Sequence, residues 1–118
     1  MAIFSTKIKI GALGQKRRAE LRAIVDTGVF LSIVPRNTLK KLAIPPLWRR
    51  KFTLADGREI HREVGVAIFQ INGQKGASEI VFGEPGDKIL LGALTLESLG
   101  LKVNPRKKRI EPEELLLL

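Results

Sequence analysis

Ala23-Ile24-Val25-Asp26-Thr27-Gly28-Val29-Phe30-Leu31 sets a carboxylate inside a run of apolar and β-branched residues. Such flanks favour burial, and a lone ionised carboxylate among them costs several kcal/mol unless hydrogen bonds or a partner charge compensate it. Two readings of Asp26 follow. In the plainer one it caps a turn, its side chain accepting a backbone N–H ahead of Gly28, a common use of Asp before glycine. In the sharper one a buried strand delivers the carboxylate to a loop where Gly28 lets another backbone approach closely.

Upstream, Phe4, Thr6, Ile8 and Ile10 alternate with Ser5, Lys7 and Lys9, the period of a half-buried strand. Gly11 to Gln15 turns the chain, and Ala19, Leu21, Ala23 and Val25 alternate in the opposite parity, so the two segments predict a hairpin that ends at Asp26. Downstream, Val29 to Val34 reads as a strand stopped by Pro35, and Thr38 to Leu42 as a brief helix closed by Pro45 and Pro46. Phe52 to Leu54, the turn Ala55-Asp56-Gly57 and Arg58 to Val64 predict a second hairpin with a polar tip. Its return strand runs on to Ile71, turns at Asn72-Gly73 and comes back as Gln74 to Phe82, continuing what reads as a meander. Ile89-Leu90-Leu91 reads as a buried strand, Leu94 to Leu99 as a short helix capped by Gly100, and Leu101 to Val103 and the region of Ile110 as closing strands. An apolar strand, a glycine loop and a short helix thus occur at Ile24 to Leu42 and again at Ile89 to Leu99, an echo that suggests two similar halves. The class is mostly β with one or two short helices.

With 118 residues there is room for one domain, placed at 1–112 with a tail at 113–118, so any active site must be built inside one small core or between copies. Apolar residues make up 44% and charged residues 28%, which excludes disorder and fibrous repeats. No apolar run approaches the roughly 20 residues that span a bilayer, and Lys7 and Lys9 interrupt the first ten positions where a signal peptide needs its apolar stretch, so a cytoplasmic, non-membrane protein is expected. Without cysteine there is no thiolate metal site or cysteine nucleophile, and His61 alone cannot furnish a multi-histidine zinc site. His61 reads as an exposed strand residue and Asp87 as part of a Pro85-Gly86-Asp87 loop.

Asp26-Thr27-Gly28, preceded by two β-branched residues and followed by an apolar strand ending in proline, resembles the active-site loop of the aspartic proteases, in their retropepsin-like, single-domain branch. The resemblance continues through the Ala55-Asp56-Gly57 hairpin, placed where that family carries its flap, and through Ile89-Leu90-Leu91-Gly92, which looks like its second apolar-apolar-glycine loop. It covers about Ala19 to Ile110. It implies a closed, β-barrel-like acid protease half that is active as a homodimer, each subunit giving one Asp26. Two carboxylates a few ångströms apart cannot both ionise readily, so one stays protonated while the other serves as base toward water. The implied catalytic set is Asp26, Thr27 and Gly28, with Thr27 bracing the two loops across the axis. Val29, Ala55, Asp56, Gly57 and Gly92 are implied to contact a polypeptide substrate, and no metal or organic cofactor is required. Val29 and Phe30 stand where the family usually has smaller residues, and Ala93 follows Gly92 where retroviral members carry arginine, so cellular or prokaryotic relatives are the better comparison.

Three functions are therefore weighed. The first is an aspartic endopeptidase, a hydrolase. The second keeps the fold and the dimer but makes the protein a catalytically weak or inactive peptide-binding module, its turnover blocked by Val29 and Phe30. The third rests on charge: 21 basic against 12 acidic residues give +9, enough to attract nucleic acid phosphates. Against it, Trp48 and five Phe offer few bases a stacking platform.

Overall fold

The computed structural model describes residues 4–117. Strands β1 (Phe4–Gly11) and β2 (Ala19–Val25) form the expected antiparallel hairpin, with Ile8 opposite Leu21 and Phe4 opposite Val25. The opposed parities put Ile8, Ile10, Ala23 and Val25 together on the buried face. Then come β3 (Ser32–Pro35), α1 (Arg36–Lys41), β4 (Trp48–Thr53), β5 (Glu59–Ile71), β6 (Gln74–Gly83), β7 (Leu90–Leu91), α2 (Ala93–Ser98), β8 (Leu101–Asn104) and β9 (Arg109–Pro112). The strands fall into a seven-stranded sheet ordered β1-β2-β7-β3-β6-β5-β4 and a separate β8-β9 pair.

This order corrects the meander. β7 inserts between β2 and β3, parallel to the former and antiparallel to the latter, and β3 pairs parallel with β6. The sheet also returns on itself, since Lys9, Ile10 and Gly11 of β1 pair with Gln70, Phe69 and Ile68 of β5. The core inside the curl holds Ile8, Ile10, Val25, Val34, Leu39, Phe69, Phe82 and Leu91, and α1 and α2 close it with Leu39 and Leu96.

β5 serves two purposes along its length. Val64 to Ile71 pair with β6, and the turn joining those strands has positive φ at Asn72 and Gly73, as a two-residue hairpin requires. Glu59 to Val64 pair with β4, which begins at Trp48, earlier than the sequence suggested. The ladder between β5 and β6 starts only at Val64, so most of the β4-β5 hairpin overhangs the sheet. Every residue of β4 except Phe52 is exposed, and Arg49, Arg50 and Lys51 give this edge the charge that discourages edge-to-edge pairing.

Two further expectations shift. The strand foreseen from Val29 begins at Ser32, because the Val29 and Phe30 carbonyls are taken by the N–H groups of Ala93 and Leu94. α1 starts at Arg36 rather than Thr38, with no side-chain cap, and Arg36 is held there by Glu63 at 2.7 Å and Glu84 at 2.8 Å. Tertiary ion pairs, which local sequence does not display, set that boundary. The strand-loop-helix echo is present, as β2 leads to β3 and α1 while β7 leads to α2.

Candidate active site

β2 carries the chain out of the core at Val25, which is fully buried, and leaves Asp26 half-buried at the strand's end. The Asp26 N–H donates to the Leu91 carbonyl at 3.1 Å, extending the β2-β7 pairing to the loop itself. The loop then turns tightly: the Val29 N–H donates to the Asp26 carbonyl at 3.1 Å, and the Gly28 N–H donates to Asp26 Oδ1 at 2.9 Å. The plainer reading of Asp26 is thus true of one carboxylate oxygen, which makes the Asx-type turn. Among the described residues that is the carboxylate's one hydrogen bond, so its second oxygen is left for other work. Thr27 and Gly28 are exposed, and Phe30 presents 60% of its surface to solvent.

A second loop holds the first. The Ala93 N–H donates to Val29 O at 2.8 Å and the Leu94 N–H to Phe30 O at 3.0 Å, so the first residues of α2 grip the loop's far side. Between them lies Gly92, where an added Cβ would stand 2.7 Å from Phe30 O and 2.8 Å from the Leu31 carbonyl carbon. Only glycine lets these two backbones meet. Val29 and Gly92, read as site residues from the sequence, are therefore brought to the Asp26 loop.

Behind it is a group the sequence reading missed. Ser32 Oγ accepts the buried Gly92 N–H at 2.9 Å and lies 2.6 Å from Thr95 Oγ1, which is 3.1 Å from Ser78 Oγ. All three side chains are buried, and the chain of hydroxyls ties β3, β6 and α2 beneath the Asp26 loop. The available signal was a lone hydroxyl amid apolar neighbours, as in Leu31-Ser32-Ile33 and Leu94-Thr95-Leu96.

Ala55, Asp56 and Gly57 form the tip of the overhanging hairpin, closed by Leu54 N–H to Arg58 O at 2.8 Å and Gly57 N–H to Leu54 O at 2.9 Å. Among the described residues no hydrogen bond or ion pair joins this tip to the Asp26 loop. The hairpin's strands pack nearby: Phe52 of β4 and Val64 of β5 lie with Leu31, Ile33, Val81 and Leu94 in a small second cluster, just past the loop in the chain. Asp56 is occupied locally, its carboxyl held below the ordinary value by the Arg58 N–H and then by the Arg58 guanidinium. Asp87 is tied to the hairpin root instead, accepting from Arg62 at 3.0 Å and 3.3 Å and from the Glu84 N–H at 2.8 Å. His61 is exposed on β5, as expected. Among the described residues no group of three or more His, Cys, Asp or Glu side chains is disposed to hold a metal ion, and no helix is long and apolar enough to cross a membrane.

This arrangement of strands and loops has solved counterparts. The simian foamy virus (mac) protease superimposes with a TM-score of 0.57 at 23% identity, over 80% of this chain and 92% of that one. The fold is that of the retroviral aspartic proteases. The prototype foamy virus protease-reverse transcriptase gives 0.50 at 18% identity, over 96% of this chain but 12% of that much longer one. No protein-family model and no curated protein sequence matches the chain. The retropepsin-like likeness is therefore carried by the architecture, in which the Asp26 loop and the Gly92 loop are stitched into one unit.

Proposed function

We propose that the protein is an aspartic endopeptidase whose active site forms between two copies of the chain, each contributing one Asp26. The observation that carries this reading is the Asp26 loop: a rigid turn, braced from behind, that commits one carboxylate oxygen to the Gly28 N–H and leaves the other free. Within the retropepsin-like fold that is the disposition a shared dyad needs.

In this reading the two carboxylates hold one proton between them and titrate as a pair. The ionised member takes a proton from a water, which attacks the scissile carbonyl, and the protonated member hydrogen-bonds the developing oxyanion. A proton then passes to the leaving amine. Thr27 braces the two loops across the axis, Gly28 offers a backbone acceptor, and Val29 and Gly92 shape the floor. The β4-β5 hairpin closes over an extended peptide with Ala55, Asp56 and Gly57 at its tip. Apolar surface left exposed at Phe30 is covered when copies pair or substrate binds. The working unit is residues 1–112, no cofactor takes part, and the setting is the cytoplasm.

The test is Asp26→Asn assayed against a peptide library between about pH 3 and 8, where such a dyad can titrate. Loss of cleavage by at least about 1,000-fold, with pairing of the copies retained, is expected; cleavage at the wild-type rate overturns the reading. The exposed bulk of Phe30 beside Asp26 favours a second reading, a peptide-binding dimer without turnover. That reading predicts saturable peptide binding by the wild-type protein and no cleavage at any pH in the range. The nucleic-acid reading is disfavoured by the scarcity of stacking side chains, since the aromatic set is Trp48 and five Phe, of which Phe69 and Phe82 are fully buried.

A further inference from the structure

Two exposed features far from the Asp26 loop in sequence are chemically complementary. The first is a groove of about 280 Å³ whose walls include Ala12, Leu13, Ala43, Pro45, Leu47 and Val66. Leu13 and Leu47 are 54% and 52% exposed there, a large apolar outlay for a surface that faces only water. Lys16, Arg17 and Arg18 follow Gln15 of the lining directly in the chain, with Arg18 Nη1 donating to Gln15 O at 2.6 Å, and Lys40 and Lys41 come shortly before Ala43. Among the described residues none of these five is in an ion pair. The acidic residue opposite Val66 across the ladder, Glu79, is engaged by Arg50 at 3.2 Å. The groove is thus lined by apolar residues and Gln15, and basic residues adjoin its lining segments in the chain.

The second feature has the opposite chemistry. Glu113-Glu114 is followed by leucines, and Leu115, Leu116 and Leu117 are 72%, 78% and 99% exposed. The root of this tail is fixed, because the Glu113 N–H donates to Gly100 O at 2.8 Å and Leu115 lies against Gly100. No residue of the tail lines the groove of its own chain. We propose that the groove receives the Glu113–Leu117 segment of a second copy, the leucines on the apolar lining and the glutamates against the adjoining basic residues. Groove and tail are different patches, so copies either exchange tails reciprocally in a twofold pair or add head to tail. It is independent of the proteolytic reading.

The probe is a fluorescently labelled peptide of residues 111–118, titrated against the full chain carrying Leu116→Ser and Leu117→Ser, whose groove its own kind no longer fills. Saturable binding is expected, weakened at least about tenfold by adding Lys40→Glu and Lys41→Glu, and likewise by adding Leu47→Glu. In sedimentation the wild-type chain should gain mass with concentration beyond whatever the doubly substituted chain shows. Absence of saturable binding overturns the proposal, as does binding that the groove substitutions leave unchanged. Equal sedimentation of the two chains, with the peptide excluded only from the wild type, overturns the second copy as occupant by placing the tail in its own groove. Carrying Asp26→Asn throughout should change none of these results.

Discussion

At Gly92 the meeting of two loops leaves no room for a methyl group. Gly92→Ala would push a Cβ to 2.7 Å from Phe30 O, against backbone that has nowhere to move without breaking the Ala93 and Leu94 hydrogen bonds. The expected result is a loss of about 1–3 kcal/mol in urea unfolding, accompanied by a displaced Asp26 loop. Ser32→Ala strands the buried Gly92 N–H, and a similar loss of about 1–3 kcal/mol is expected on the same assay. Asp26 and Gly28 stood out as candidates in the sequence because a carboxylate or a glycine is costly in an apolar run and persists there only for a turn, a close approach or chemistry, whereas Thr27 and Gly92 entered through the family resemblance. Ser32, Ser78 and Thr95 were not, since serine and threonine are common in strands and helices, and their partners lie 17 to 63 residues away.

The β4-β5 hairpin shows how an element can be locally simple and globally anchored. Its turn was legible from Ala55-Asp56-Gly57 alone, but its root is held by Arg62 to Asp87 and by Arg36 to Glu63, contacts between distant elements. Arg62, and after it the Glu84 N–H, keeps the Asp87 carboxyl below its ordinary value of 3.8. The folded chain therefore takes up this proton less readily than the unfolded chain. The resulting stability is complete above about pH 4 and is lost as the pH falls through the lower folded value. Asp87→Asn should lower the unfolding free energy by about 1–2 kcal/mol at pH 7, and the difference from wild type should close in strong acid. A difference that persists unchanged at pH 2 would assign the effect to packing instead. The start of α1 and the late start of β3 were misjudged for a related reason: each boundary is set by a hydrogen bond or ion pair from another part of the chain, not by a local cap.

For the molecule as a whole, period-two patterning displayed the β content and the first hairpin, yet could not order the sheet. Every local turn was read as joining neighbours, whereas β7, only two residues long, slips between β2 and β3 and makes the Asp26 loop a junction of three strands. The fold as a whole resembles that of the simian foamy virus protease, and one such loop per chain is half of the proposed site. Catalysis as proposed therefore stands or falls with the pairing of copies. Wild-type chain mixed with Asp26→Asn chain, at fixed total concentration and after exchange of subunits, measures it. If each site needs an Asp26 from both copies, the peptidase rate falls as the square of the wild-type fraction, to about a quarter in an equal mixture. A rate that falls in simple proportion, to one half, would show each chain hydrolysing peptides alone and would rule out a shared site.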